Sequence, residues 1–161
     1  MGAHDEFVEL LTTAMRNNGM DELSSRLVGI LYIKHEPVSL EDLAKDAGYS
    51  LSAVSTTMKF LSQLGLVKTI KKPGSRKRYY YFEKDLISLS LDLARKKYQS
   101  NILPILERIP QIVDKYKEEK ANSKEELTLL ESYFEQTKEM EKIISKLINM
   151  LEVSQERFKN G

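Results

Sequence analysis

Between Gly48 and Phe82 the chain carries seven of its 25 basic residues, Lys59, Lys68, Lys71, Lys72, Arg76, Lys77 and Arg78, and none of its 24 acidic ones. Cationic side chains uninterrupted by carboxylates build a local positive field on a chain whose net charge is only +1, the electrostatic footprint of a surface that meets a polyanion. The same stretch opens with hydroxyls, Ser50, Ser52, Ser55 and Thr56, small enough for close approach and able to hydrogen-bond to bases or phosphates. Other chemistry is poorly supplied. With no cysteine there is no disulfide, thiolate nucleophile or Cys-ligated metal. His4 and His35, the two histidines, have no second ligand at a metal-binding spacing. No Gly-rich phosphate loop, nucleophile elbow or catalytic dyad is present, and the carboxylates lie in lysine-rich helical stretches. The expectation is a protein with no enzymatic activity, no cofactor and no metal.

The elements around this stretch are readable from periodicity. Asp5 to Arg16 has an amphipathic helical pattern stopped by Asn17-Asn18-Gly19, and a second helix is expected from about Asp21 to Lys34. Pro37 pushes Glu36 toward extended geometry, with a very short strand at Val38. Ser39-Leu-Glu-Asp42 reads as a capping box that opens a short helix with Leu40, Leu43 and Ala44 inward. Gly48 suits a left-handed helix end and Ser50 caps the next helix. That spacing is a helix-turn-helix, whose second helix, Leu51 to Leu64, turns Val54, Met58, Leu61 and Leu64 to the core.

Leu66 to Lys72 and Lys77 to Phe82 then read as strands joined by Pro73-Gly74-Ser75, a hairpin wing. The exposed candidates for contact with double-stranded DNA are Ser50, Leu51, Ser52, Ser55, Thr56 and Lys59 on the helix, and Lys71, Lys72, Ser75, Arg76, Lys77 and Arg78 on the wing. The helix would enter the major groove; the wing would neutralise phosphates, with Arg76 at its tip in the minor groove. A bland alternative exists for each: a solvated Ser/Thr face, or a charged edge strand that only discourages pairing. The absence of acidic residues from helix and wing together favours the DNA reading. Tyr79, Tyr80 and Tyr81 could stack on unpaired bases, but strand alternation sends at least one inward, so they are read as anchors of the wing.

Beyond Phe82 the pattern is helical almost to the end. Ile87, Leu91, Ala94, Tyr98, Ile102, Ile105, Ile109, Ile112 and Tyr116 form one stripe that Pro104 and Pro110 must kink or interrupt. Ser123-Lys-Glu-Glu126 reads as a second capping box, opening a helix to about Phe158. That helix has two adjacent stripes, Leu129, Tyr133, Met140, Ile143, Leu147, Met150 and Leu130, Phe134, Ile144, Ile148, Leu151. A face so wide needs more than one neighbour, which implies a second copy of the chain. Ile102, Ile105, Ile109, Ile112, Tyr133, Met140, Ile144, Leu147 and Leu151 are the candidates for dimerisation. The expected fold is mainly α with a small β-hairpin wing: a winged helix-turn-helix domain over residues 1–83 and long C-terminal dimerisation helices over 84–161. No run of about 18 apolar residues or basic, apolar leader is seen, so no membrane partner is expected and the cytosol is the expected location.

GM at Gly19-Met20, EPVSLEDLA from Glu36, SAVSTTM from Ser52, LGLV from Leu64 and PGSRKRYY from Pro73 resemble the GbsR-type branch of the MarR-like winged helix-turn-helix transcription regulators. The resemblance spans Gly19 to Asp85 and implies a homodimer, more often a repressor than an activator, that binds DNA through the helix and wing. Leu51 departs from the polar or basic side chain expected there, so no operator preference is carried over. Some members of that branch sense quaternary ammonium compounds, which would call for an aromatic cage. Tyr32, Tyr98, Tyr116, Tyr133 and Phe134 would have to converge to form one; aromatic residues at helical spacing are more often core. An effector, if one exists, is not named by the sequence. The competing readings are a protein-binding winged-helix adaptor, which would not need this charge, and a regulator gated by a small molecule.

Overall fold

The computed structural model describes residues 2–119 and 123–160, and the chain divides into two compact units with the boundary after Asp85. In the first unit the order is α1 (Ala3–Asn17), α2 (Glu22–Ile33), β1 (Val38–Ser39), α3 (Leu40–Ala47), α4 (Leu51–Leu64), β2 (Val67–Lys71) and β3 (Arg78–Phe82). The core is built on α2: Leu27, Val28 and Leu31 are buried with Leu43 of α3, Val54, Met58 and Leu61 of α4, and Tyr80 and Phe82 of β3. Each such side chain contributes roughly 1.5–3 kcal/mol by leaving water. Helix α1 lies unusually close to α2, because Gly29 has no side chain: a Cβ there would stand 2.7 Å from Thr12 Oγ1 and 3.1 Å from the Val8 carbonyl oxygen.

In the first unit the helix ends agree with the sequence, with one difference. Asp21 caps α2, its carboxylate accepting from the Ser24 amide at 3.0 Å and from the Ser24 hydroxyl, and these bonds hold its pKa below the ordinary 3.8. Ser39 caps α3 by accepting from the Asp42 amide at 3.2 Å. The Asp42 carboxylate reaches back to the Ser39 hydroxyl, at 2.7 Å, where a capping box would use the Ser39 backbone N–H. Ser39 is also paired with Tyr79 in the sheet. The sheet has three antiparallel strands in the order β1-β3-β2, so the hairpin is extended by the short strand at Val38. Alternation along β3 buries Tyr80 and Phe82 and leaves Tyr79 and Tyr81 half-buried.

The second unit contains α5 (Leu86–Lys97), a π-helical turn (Tyr98–Ile102), α6 (Leu103–Glu118) and the 36-residue α7 (Lys124–Lys159). The π-turn is how the chain absorbs Pro104. Proline has no N–H and its ring crowds the carbonyl four residues back; the widened turn, closed by the Leu103 amide on the Tyr98 carbonyl, relaxes that collision without ending the helix. Pro110 sits inside α6, which continues through it. Ser123 caps α7 by accepting from the Glu126 amide at 3.1 Å. The Glu126 carboxylate does not complete a capping box; it accepts from the Tyr116 hydroxyl of α6. Among the described residues no helix is long and apolar enough to cross a membrane.

Candidate nucleic-acid interface

Helix α4 is aimed by the turn before it. Gly48 ends α3 at φ 74°, a left-handed conformation that glycine adopts without a Cβ penalty, and the Tyr49 amide returns to the Ala44 carbonyl at 3.2 Å. Two residues later Ser50 Oγ accepts from the Ala53 amide at 3.2 Å and starts α4. The turn is thereby closed at both ends, and α4 buries Val54, Met58 and Leu61 while Leu51, Ser52, Ser55, Thr56 and Lys59 stand in solvent.

The hydroxyls of this face are not equivalent. Ser50 Oγ uses one lone pair on the cap and keeps its proton and a second lone pair. Thr56 Oγ1 donates to the Ser52 carbonyl at 3.1 Å, so its donor is committed and it presents an acceptor and a methyl. Gln63, not among the residues expected from sequence, is exposed one turn beyond Lys59, and the spacing of Ser52, Thr56, Lys59 and Gln63 places them along one side of the helix. Glutamine can pair bidentately with adenine. The signal for it was the spacing of four from Lys59. Tyr49 and Phe60, 42% and 48% exposed, border the same surface.

In the wing, Pro73 and Gly74 form the turn itself, with Gly74 at φ 75° and the Ser75 amide on the Lys72 carbonyl at 3.2 Å. The tip is therefore Pro73-Gly74, and Arg76 lies two residues past it, exposed to solvent. Two candidates hold the hairpin together. Lys72 places its ammonium 4.3 Å from the centroid of Tyr79, and Ser75 Oγ accepts from the Lys77 amide at 3.1 Å and hydrogen-bonds the Tyr79 hydroxyl at 3.3 Å. Lys77 lies 3.9 Å from Glu41 of α3, an exposed pair of little energetic weight. Lys68 pairs with Glu83 at 3.2 Å. Among the described residues Lys59, Lys71, Lys72, Arg76 and Arg78 have no carboxylate in ion-pair range, so these five supply the uncompensated charge.

The base of the wing is clamped to α2. Lys84 Nζ donates to the Leu31 carbonyl at 2.5 Å and lies 4.7 Å from the Tyr81 centroid and 5.7 Å from that of Tyr32. Burial lowers the Lys84 pKa, against the neighbouring Glu83 charge that raises it. For Glu83 burial pushes upward, but the Asp85 amide and Lys68 outweigh it and leave the carboxyl below its usual range. Tyr32 in turn packs on Phe7 and Phe82, at centroid distances of 5.9 and 5.7 Å.

Of the aromatic residues considered for a cage, Tyr32, Tyr98, Tyr116 and Phe134 are engaged inside their own units, and Tyr133 is exposed. Tyr32 is part of the stack just described. In the second unit Tyr98 donates to Glu141 at 3.2 Å, which raises its pKa, Tyr116 donates to Glu126, and Phe134 carries the Lys138 ammonium at 4.9 Å. The dimerisation candidates also divide. Ile102, Ile109 and Ile144 are buried within this chain, Ile105 and Leu151 are half-buried, and Ile112, Tyr133, Met140 and Leu147 face solvent. Among the described residues no cluster of His, Asp or Glu could hold a metal ion.

No family model matches the chain. It is similar to YvaV of Bacillus subtilis, a protein that carries the name of a putative HTH-type transcriptional regulator, with 28% identity over 83 residues, 52% of this chain and 47% of that one. It is also similar to the HTH-type transcriptional repressor OpcR of the same organism, with 24% identity over 91 residues, 56% of this chain and 49% of that one. The chain thus matches about half the length of these relatives. A solved transcriptional regulator superposes with a TM-score of 0.67 at 18% identity, covering 99% of this chain and 100% of its own. The fold is a winged helix-turn-helix with a helical extension, mostly helical and carrying a small antiparallel sheet.

Proposed function

We propose that this chain is a sequence-specific double-stranded DNA-binding transcription regulator of the GbsR-type, MarR-like branch, acting in the cytosol as a homodimer and as a repressor. In this reading α4 enters the major groove with Ser52, Ser55, Thr56 and Lys59 toward base edges and phosphates, while Arg76, Arg78 and Lys71 meet the backbone and minor groove. The observation that carries it is the juxtaposition of an exposed hydroxyl face with five cations that have no carboxylate partner. A protein-binding adaptor would have no use for that charge. The names borne by the two Bacillus subtilis relatives support regulation, and that of OpcR supports repression.

The test is fluorescence anisotropy with a duplex from the gene's own upstream region and a scrambled duplex of equal composition. Preference for the native duplex supports the proposal. Absence of binding to both at low salt would overturn it for the free protein. Adding a quaternary ammonium compound to the same titration asks whether the regulator is gated by such a ligand.

A further inference from the structure

Helix α7 carries a second apolar seam that the unit leaves in solvent. The side bearing Phe134, Thr137, Ile144 and Ile148 packs within the unit, where α7 meets α5 and α6. Rotated from it lie Leu129, Tyr133, Met140, Ile143, Leu147 and Met150, all exposed and as much as 71% so at Leu129. Their alternating spacing of three and four, with Gln136 filling the remaining step, is the repeat of a two-stranded coiled coil. From Leu129 to Ser154 it runs about 38 Å at 1.5 Å per residue.

Resting on the homodimer reading above, we infer that a second copy of this chain docks on this seam with its own α7 antiparallel, across a dyad midway between Met140 and Ile143. That dyad matches the seam to itself: Met140 meets Ile143 of the partner subunit, Tyr133 meets Met150 of the partner subunit, and Leu147 meets Gln136 of the partner subunit. Charge decides the direction. The flank beside the seam is acidic on one side of the dyad, at Glu135 and Glu139, and basic on the other, at Lys142 and Lys146. An antiparallel partner brings Lys146 of the partner subunit within about two residues, or ~3 Å along the axis, of Glu139, and the symmetry makes the pair twice. A parallel partner in register aligns each charge with its own kind. The present i,i+3 contact of Glu139 with Lys142, 3.1 Å long and exposed at both ends, is too weak to hold Glu139 back from that pair.

The absence of cysteine makes oxidative cross-linking a clean test on the full chain. Tyr133→Cys mixed with Met150→Cys is expected to give a disulfide-linked dimer, and neither variant alone should do so. In parallel, sedimentation should show that Glu139→Lys weakens the dimer about tenfold and that adding Lys146→Glu restores it to within about threefold of the parent. Both positions are exposed, so neither variant threatens the fold. Cross-linking of each cysteine variant with itself would overturn the antiparallel arrangement and leave the homodimer standing. A dimer in sedimentation that yields no cross-link in any mixture would remove α7 as the seam. A monomer at all concentrations would overturn both this inference and the homodimer it rests on.

Discussion

At the scale of single residues the interface is a matter of which hydrogen-bonding atoms remain uncommitted. Thr56 has given its proton to the Ser52 carbonyl, so its oxygen can only accept. Thr56→Val keeps the methyl and removes that acceptor; it should change the ranking of operator duplexes by about 1–3 kcal/mol at one base and leave binding to scrambled DNA unchanged. A uniform loss in competition assays would remove base reading from this position. Asp21 offers a test of folding energetics. Its carboxylate is held below its ordinary pKa by the Ser24 hydroxyl and amide, so its contribution is complete above the ordinary value of 3.8 and is lost as pH falls through the lower folded value. Asp21→Ala should therefore cost about 1 kcal/mol at neutral pH in urea unfolding, with the gap to the parent closing under acid conditions. A gap that persists unchanged at low pH would show the loss to be unrelated to the charge. The types and spacing of Ser52, Thr56, Lys59 and the wing cations were legible in the sequence. The commitments of Thr56, Ser75 and Lys72 were not, because they depend on rotamers and on partners across a hairpin.

At the scale of elements, close packing and local chemistry divide the work. The approach of α1 to α2 depends on a hydrogen atom at Gly29, and Gly29→Ala should destabilise the first unit by about 1–3 kcal/mol through overpacking, read as a lower unfolding midpoint; an unchanged midpoint would mean that α1 can shift freely. Helix periods and caps placed α1 to α4 within a few residues, since Gly48, Ser50 and Gly65 punctuate the chain where backbone geometry requires it. Two expectations about caps were half right. Ser39 and Ser123 do accept from the third amide, but Asp42 and Glu126 found other partners, a hydroxyl and a tyrosine on a neighbouring helix. A spacing rule sees only the local chain and cannot see Tyr116. Pro104 and Pro110 announce a disturbance in the helical pattern, yet its resolution as a π-turn between α5 and α6 depends on how the surrounding helix can widen without losing its packing.

At the scale of the whole molecule the charge pattern carries the account. Net charge is close to zero, but α4 and the wing carry five cations without a carboxylate partner and no acidic residue, and two such surfaces on a symmetric dimer would engage a duplex twice. The sequence also showed that α7 has more apolar surface than one neighbour can bury. It could not divide the seam, since only packing reveals that Ile102, Ile109 and Ile144 are spent within the chain while Met140 and Leu147 are left outside. Both features converge on one measurement, the affinity for the native duplex across a salt series, compared between the parent and Arg76→Ala/Arg78→Ala. If the wing cations neutralise phosphates on DNA, parent affinity should fall by roughly 10³-fold or more between about 50 and 200 mM salt, and the double variant should show a shallower slope, smaller by about 1 for each lost phosphate contact. An affinity that does not respond to salt, or a slope identical in the two proteins, would contradict the assignment of this surface to DNA.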